Sequence, residues 1–168
     1  NGSSNAPLRG SKRQTLEGGI RVAFIIRWKG HLAVGQRDSR PIIQLDVLPT
    51  ALAAAGVRSQ GQFDGVNLLP FLTGKKAGRP HETLYWRPGD HMALSKGDWK
   101  LVKTGEGPLK EANPSTFNDL SNAQLYNLAE DIGETKNLAG SRPEKVRELA
   151  ADWKRWNKKL AKPLWPPG

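Results

Sequence analysis

The chain has 168 residues, 37% of them hydrophobic, with six Trp, no Cys and a formal net charge of +10 at pH 7. That length suits one ordinary domain or a domain with an appendage, and the Trp content supplies a core. The absence of cysteine excludes disulfides and thiolate metal sites, and no stretch reaches the ~20 apolar residues of a membrane helix. No signal-peptide pattern is read in the first residues. The chain opens without Met in a polar stretch, "NGSSNAP", and is therefore expected to be a piece of a longer polypeptide. Its positive balance suits anions such as nucleic acid, sulfated glycans or phosphorylated ligands, and equally suits a surface that is merely soluble.

The first patterned stretch is "PLRGSKRQTLEGGIRV" (Pro7–Val22), which sets Arg9 and Lys12 in a Gly- and Ser-containing loop ahead of an apolar run. That run, Val22 to Ile26 within "GIRVAFIIRW", is short and β-branched, which predicts a strand buried on both faces as in a helix-covered parallel sheet. "KGHLAVGQRDSRP" reads as an exposed loop. "DVLPTALAAAG" reads as a helix, with Asp46 as its cap, Pro49 in its first turn and Gly56 as its left-handed C-terminal residue. Strand followed by helix is the order of an α/β domain.

"FDGVNLLPFLTGKKAGRP" holds a turn, an apolar cluster and a basic Gly-rich linker, which places a boundary near Gly78. The expected division is residues 1–78 as part of an α/β domain and residues 79–168 as a small α+β subdomain. In the second part, "TLYWRPGDHMALSKGDWKLVK" predicts three strands separated by Pro-Gly-Asp and Lys-Gly-Asp turns. Trp99 and Leu101 alternate with Lys100, which predicts a sheet with one wet face. "AQLYNL" offers a fourth strand after a polar loop over 105–122. The last element reads as a helix with a Ser141–Glu144 capping box and an apolar stripe of Val146, Leu149, Trp153, Trp156 and Leu160. Its Lys- and Arg-rich side is read as a solvated face. Tyr85, Trp86 and Trp99 are read as packing between sheet and helix.

Four stretches carry a family resemblance. "PLRGSKRQTLEGGIRVAFIIRWKG" resembles the sulfatase signature P-L-R-G-x-K-x-x-x-x-E-G-G-x-R-V-P-x-I-x-x-W-P-G. "LDVLPTALAAAG" and "DGVNLLPFLTG" are similar to later segments of the same catalytic domain. "LYNLAEDIGETKNLA" is similar to the C-terminal L-Y-D-L-x-x-D-P-x-E-x-x-N-L. Ala23 and Lys29 stand where the family prefers Pro, Asn127 replaces Asp and Ile132 replaces Pro, all at framework positions.

The resemblance implies the C-terminal part of an alkaline-phosphatase-like sulfatase fold. It carries a four-stranded antiparallel sheet packed by a terminal helix, and the remaining N-terminal part of the same fold would be its partner. It also implies hydrolysis of a sulfate ester, on a small molecule or a glycan, by a formylglycine and a calcium ion held mainly outside this chain. No nucleic-acid or membrane partner is implied, and the usual location of such enzymes is periplasmic or extracellular.

Lys12, five residues before Glu17, matches the family's sulfate-contacting lysine. Glu17, Gly18, Gly19 and Arg21 read as framework, with Glu17 able to pair with a nearby Arg, and Arg9 as a brace for the loop. Asn1-Gly2 resembles part of a metal-binding D-N-G, but Asn1 stands too close to Lys12 to fit as a calcium ligand. Ser141-Arg142-Pro143 lacks the Arg of C/S-x-P-x-R, since Lys145 stands there, and no other stretch completes that motif. His31, His81 and His91 are too scattered for a metal site. Arg87 and His91, in "RPGDHMAL", could contact a sugar or its acidic groups; the alternative for His91 is a surface turn residue. Two rival readings stand beside the sulfatase: a basic module that binds polyanions without catalysis, and a structural piece that folds only against further chain.

Overall fold

The computed structural model describes residues 4–58, 60–104 and 118–161. In chain order the elements are the helical turn α1 (Glu17–Ile20), helix α2 (Val47–Ala54), the helical turn α3 (Leu69–Leu72), strands β1 (Thr83–Trp86), β2 (Met92–Lys96), β3 (Trp99–Lys103) and β4 (Gln124–Asn127), and helix α4 (Pro143–Asn157). They form two compact units. One joins the chain up to Ala23 with the chain from Thr83 onward; the other is Phe24–Glu82. Residues 4–23 thus pack with the sheet rather than with the segment that directly follows them, a grouping that the Gly78 boundary did not anticipate.

The sheet is antiparallel in the order β1-β2-β3-β4, as expected. Its register sets Tyr85, Leu94, Leu101 and Leu125 in one row across the four strands. That row and Met92 face α4, whose Leu149 and Trp153 complete a continuous apolar core. The Tyr85 ring stacks on Trp156 at 4.6 Å, and Trp156 lies 5.2 Å from Trp153. Lys96 adds an outer tie from β2 to α4, reaching Glu148 and Asp152 at 3.1 and 2.8 Å.

The other face of the sheet departs from expectation. Strand alternation predicted that Lys100 would point into water, yet its side chain is fully buried. Residues 15–17 lie across this face: Leu16 packs with Ala93, Val102 and Tyr126, while Thr15 and Glu17 are buried beside it. Period-2 alternation assigns a residue to a face but says nothing of what covers that face.

Helix α4 also starts differently. The Ser141–Glu144 box does not form, because Arg142 is the N-cap and Ser141 falls one residue too early to reach the first-turn amides. Ser141 Oγ donates instead to Leu138 O. Pro143 opens the helix, where a missing N–H costs no intrahelical bond. Leu160, the last member of the expected stripe, lies beyond the helix and is exposed.

In the unit Phe24–Glu82, a 3-10 turn at Gln44–Asp46 leads into α2, so Asp46 already has helical φ and ψ. An N-cap side chain needs an extended backbone, and Asp46 does not cap α2. Its buried carboxylate accepts from Ile43 N (2.9 Å) and Val66 N (2.8 Å) and pairs with His81 Nε2 at 2.8 Å. Gly56 does end α2 as expected, at φ +69°, with Val57 N donating to Leu52 O and Gly56 N to Ala53 O in a Schellman arrangement.

The expected strand at Val22–Ile26 does not form. Val22 is 82% and Ile25 90% exposed, with Phe24 and Ile26 also open to solvent. A strand buried on both faces needs ladder partners on each side, and none of the described residues pairs with this run. Phe24, Ile26 and Trp28 instead line an apolar groove of about 520 Å³ together with Val47, Ala51 and Leu68.

The α4 anchor generates a stability test. Trp153 is fully buried against the sheet, so Trp153→Ala should lower the unfolding free energy by about 3–5 kcal/mol, measured by urea denaturation.

Candidate functional site

Lys12 sits at the tip of a tight turn. Gln14 N donates to Ser11 O at 3.0 Å, Gln14 Oε1 accepts from Ser11 N at 2.9 Å, and Arg13 takes φ +79°. A positive φ at the third residue of a four-residue turn is the type II pattern. Below the turn, Gly18 N donates to Arg9 O, and Asn5 Nδ2 donates to Gly10 O and Gly18 O at 3.0 and 3.1 Å. The loop is thereby closed at its neck. Gly18 and Gly19 permit this approach: a Cβ on Gly18 would fall on the carbonyls of Gly10 and Arg9, and one on Gly19 on those of Gln14 and Ser11.

The neck is fastened to the sheet by polar contacts. Thr15 Oγ1 donates to Met92 O at 3.3 Å. Arg9 Nη1 donates to Tyr126 Oη at 3.0 Å and to Glu134 O at 2.8 Å, so Arg9 braces the loop as expected. Glu17 N donates to Glu134 Oε2 at 2.6 Å. Between the two carboxylates lies Lys100, whose Nζ is 2.8 Å from Glu17 Oε1 and 2.8 Å from Glu134 Oε1. The first contact is a hydrogen bond; the second is an ion pair whose angle is not that of a hydrogen bond. Arg21 reaches Glu17 Oε2 at 3.1 Å from a half-exposed position, the Glu–Arg pairing read from the sequence.

Glu134 holds φ +53°, uncommon for a residue with a side chain. Its turn is stiffened by Asp131, whose carboxylate accepts from Thr135 N and Lys136 N, both at 2.8 Å. Those backbone hydrogen bonds, the Lys136 amide foremost, hold the Asp131 carboxyl below its ordinary range. Burial raises the Tyr126 phenol, so it stays protonated beside Arg9.

Lys12 and Arg13 are exposed, and Lys12 has no ion-pair partner among the described residues. Arg87 is engaged elsewhere, with Nη1 on Asn157 Oδ1 and Nη2 on Ala161 O, and burial lowers its pKa. It ties the start of the β1–β2 turn to the end of α4. His91 is a correction to the surface-turn alternative: it is 3% exposed, with Nε2 3.7 Å from Asp90 Oδ1. The Thr15–Met92 bond brings the Lys12 loop to the residue next to His91 and leaves Arg87 outside the arrangement.

His31 stacks on Trp28 at 4.0 Å, and His81 Nε2 pairs with Asp46. Among the described residues no three His, Cys, Asp or Glu side chains gather to hold a metal. Asn1 lies outside the described residues. Lys100, Glu134, Tyr126 and Asn5 are the participants that sequence reasoning missed; the Tyr and the Glu of the C-terminal motif, at positions 126 and 134, were usable signals.

A four-stranded antiparallel sheet backed by a terminal helix is consistent with the C-terminal subdomain of sulfatases, and comparison bears this out. The chain belongs to the sulfatases: residues 10–162 match the family described as "N-sulphoglucosamine sulphohydrolase, C-terminal". It is 42% identical to the uncharacterized sulfatase YdeN of Escherichia coli (strain K12) over 86% of this chain and 30% of that protein. It is 36% identical to the steryl-sulfatase of Rattus norvegicus over 56% of this chain and 19% of that protein. The crystal structure of Ps i-CgsB in complex with k-i-k-neocarrahexaose superposes with a TM-score of 0.78 at 26% identity, covering 99% of this chain and 35% of that one. The chain therefore spans less than a third of the length of these curated relatives.

The loop geometry makes a paired prediction. Gly18→Ala should destabilise by about 1–3 kcal/mol through overpacking against backbone carbonyls. Arg13→Gly relieves a left-handed side-chain residue and should leave stability within ~1 kcal/mol of the parent. Thermal melts of both variants check the contrast.

Proposed function

We propose that this chain is the C-terminal part of a larger sulfatase, an enzyme that cleaves sulfate esters, and that Lys12 contacts the sulfate group. The observation that carries the reading is an exposed ammonium, without an ion-pair partner among the described residues, on a turn whose neck is tied to the sheet. A compact cation held on a rigid support is suited to meet one sulfate oxygen as a point charge. As S–O cleavage shifts negative charge among the sulfate and leaving-group oxygens, such a cation favours the charged arrangement. A glycan is the proposed carrier of the sulfate, supported by the neocarrahexaose bound to the structural neighbour. Periplasmic or extracellular location is proposed with it, and among the described residues no helix is long and apolar enough to cross a membrane.

A calcium ion and a formylglycine belong to this reading through the resemblance. The described residues offer no metal-ligand cluster, and the sequence lacks a C/S-x-P-x-R stretch. Both groups are accordingly assigned to polypeptide outside this chain, and no step is derived through them. The exposed Val22–Ile26 run and the apolar groove beside it support completion of the fold against that further polypeptide. Arg87 and His91, one engaged with α4 and the other buried, are given no substrate contact.

Two tests follow. The purified chain alone should not turn over an aryl sulfate; turnover above a Lys12→Ala control would refute the placement of the chemistry outside it. In the complete enzyme, Lys12→Ala should lower the rate by ~10²–10³, the usual effect of removing one positioned electrostatic donor. Arg13→Gly should stay close to the parent. Equal and small effects at the two positions would remove Lys12 from the site.

A further inference from the structure

We infer that Lys100 is a positioning residue for the Lys12 loop, a role that rests on the reading of Lys12 as the sulfate contact. Lys100 is fully buried and touches two carboxylates from distant parts of the chain, Glu17 and Glu134, each at 2.8 Å. Those two residues are also joined to each other through the Glu17 amide and Glu134 Oε2. Two neighbouring carboxylates repel each other, and the Lys100 ammonium lies against both of them. Lys100 is thus the one cation in contact with both Glu17 and Glu134 among the described residues, and it adds to the amide bond that joins them.

Glu17 stands at the base of the loop, one residue before Gly18, whose amide closes the neck on Arg9 O. On the other side, the carbonyl of Glu134 receives Arg9, which stands one residue before Gly10. Both legs of the loop thus rest on the pair that Lys100 holds. Leucine or methionine on the same strand position would fill the space and remove the buried cation shared by the pair, leaving only Arg21, which reaches Glu17 and not Glu134. The left-handed backbone of Glu134 fits the same role, since strained backbone survives where surrounding contacts over-determine it.

The test combines amide NMR on this chain with a double-mutant cycle in the complete sulfatase. Lys100→Met should shift the amide signals of residues 11–14 more than those of Leu94, Leu149 and Trp153, which pack on the α4 side. In the enzyme it should lower kcat/KM by ~10²-fold, the scale of loss from a small misplacement of a positioned group. Because Lys100 acts through Lys12, the double variant Lys100→Met with Lys12→Ala should be no slower than Lys12→Ala alone. Losses that multiply would overturn the proposal, as would loop signals that stay in place. Should Lys100→Met fail to fold, Glu17→Gln keeps the Lys100–Glu134 pair and decides the matter by the same two measurements. If Lys12→Ala alone leaves the rate unchanged, the sulfate contact falls, and the positioning role is decided by the amide signals.

Discussion

The buried ammonium of Lys100 between Glu17 and Glu134 is the constraint from which the arrangement of the sheet unit follows. Removing three charges from water is costly, and their mutual attraction offsets that cost only when geometry and hydrogen bonding are good. Here Glu17 has Lys100 on one oxygen and Arg21 on the other, while Glu134 takes the Glu17 amide as well as the ammonium. With Arg21 included, two cations face two anions. The cluster joins the N-terminal segment, β3 and the turn after β4, which have no local sequence relation.

The two faces of the sheet therefore do different work. Toward α4 the contacts are apolar and stacked, with Leu94, Leu101, Leu125, Leu149 and Trp153 in one core. Such contacts supply stability but tolerate small displacements of volume and angle. Toward the N-terminal segment, a small apolar patch around Leu16 is surrounded by directional bonds from Arg9, Thr15 and Glu17. Hydrogen bonds and ion pairs fix direction as well as distance. The loop bearing Lys12 is attached to the directional face.

Much of the sheet unit was legible because its signals are local. Pro-Gly-Asp and Lys-Gly-Asp turns bracket β1, β2 and β3, and the Leu149–Trp153 spacing marks the inner side of α4. What failed depended on distant partners. Lys100 looked solvent-facing because Glu17 lies 83 residues away, and the Glu17–Glu134 contact spans 117. Val22–Ile26 looked buried because a continuous apolar run carries no information about whether ladder partners are at hand. Asp46 looked like a cap because the preceding 3-10 turn leaves no mark in composition. For the site, composition and spacing left Lys12 as one loop lysine among many, and only the family motif singled it out. The positive φ of Arg13 had no signal at all. The polar loop expected over 105–122 falls mostly outside the described residues, at 105–117.

The discontinuity of the sheet unit has a consequence for the order in which the molecule is made. Phe24–Glu82 forms its own body between the two stretches that build the sheet unit. During synthesis the hairpins β1–β2 and β2–β3 can pair as soon as they emerge, since their contacts are close in sequence. Glu17 has to wait for Lys100, and both wait for Glu134, so the long closure comes after the local ones. Until then Glu17 has only its local partner Arg21, and the far face of the sheet lies open. The geometry around Lys12 is thus among the last features to be set on the nascent chain, after the surface it rests on exists.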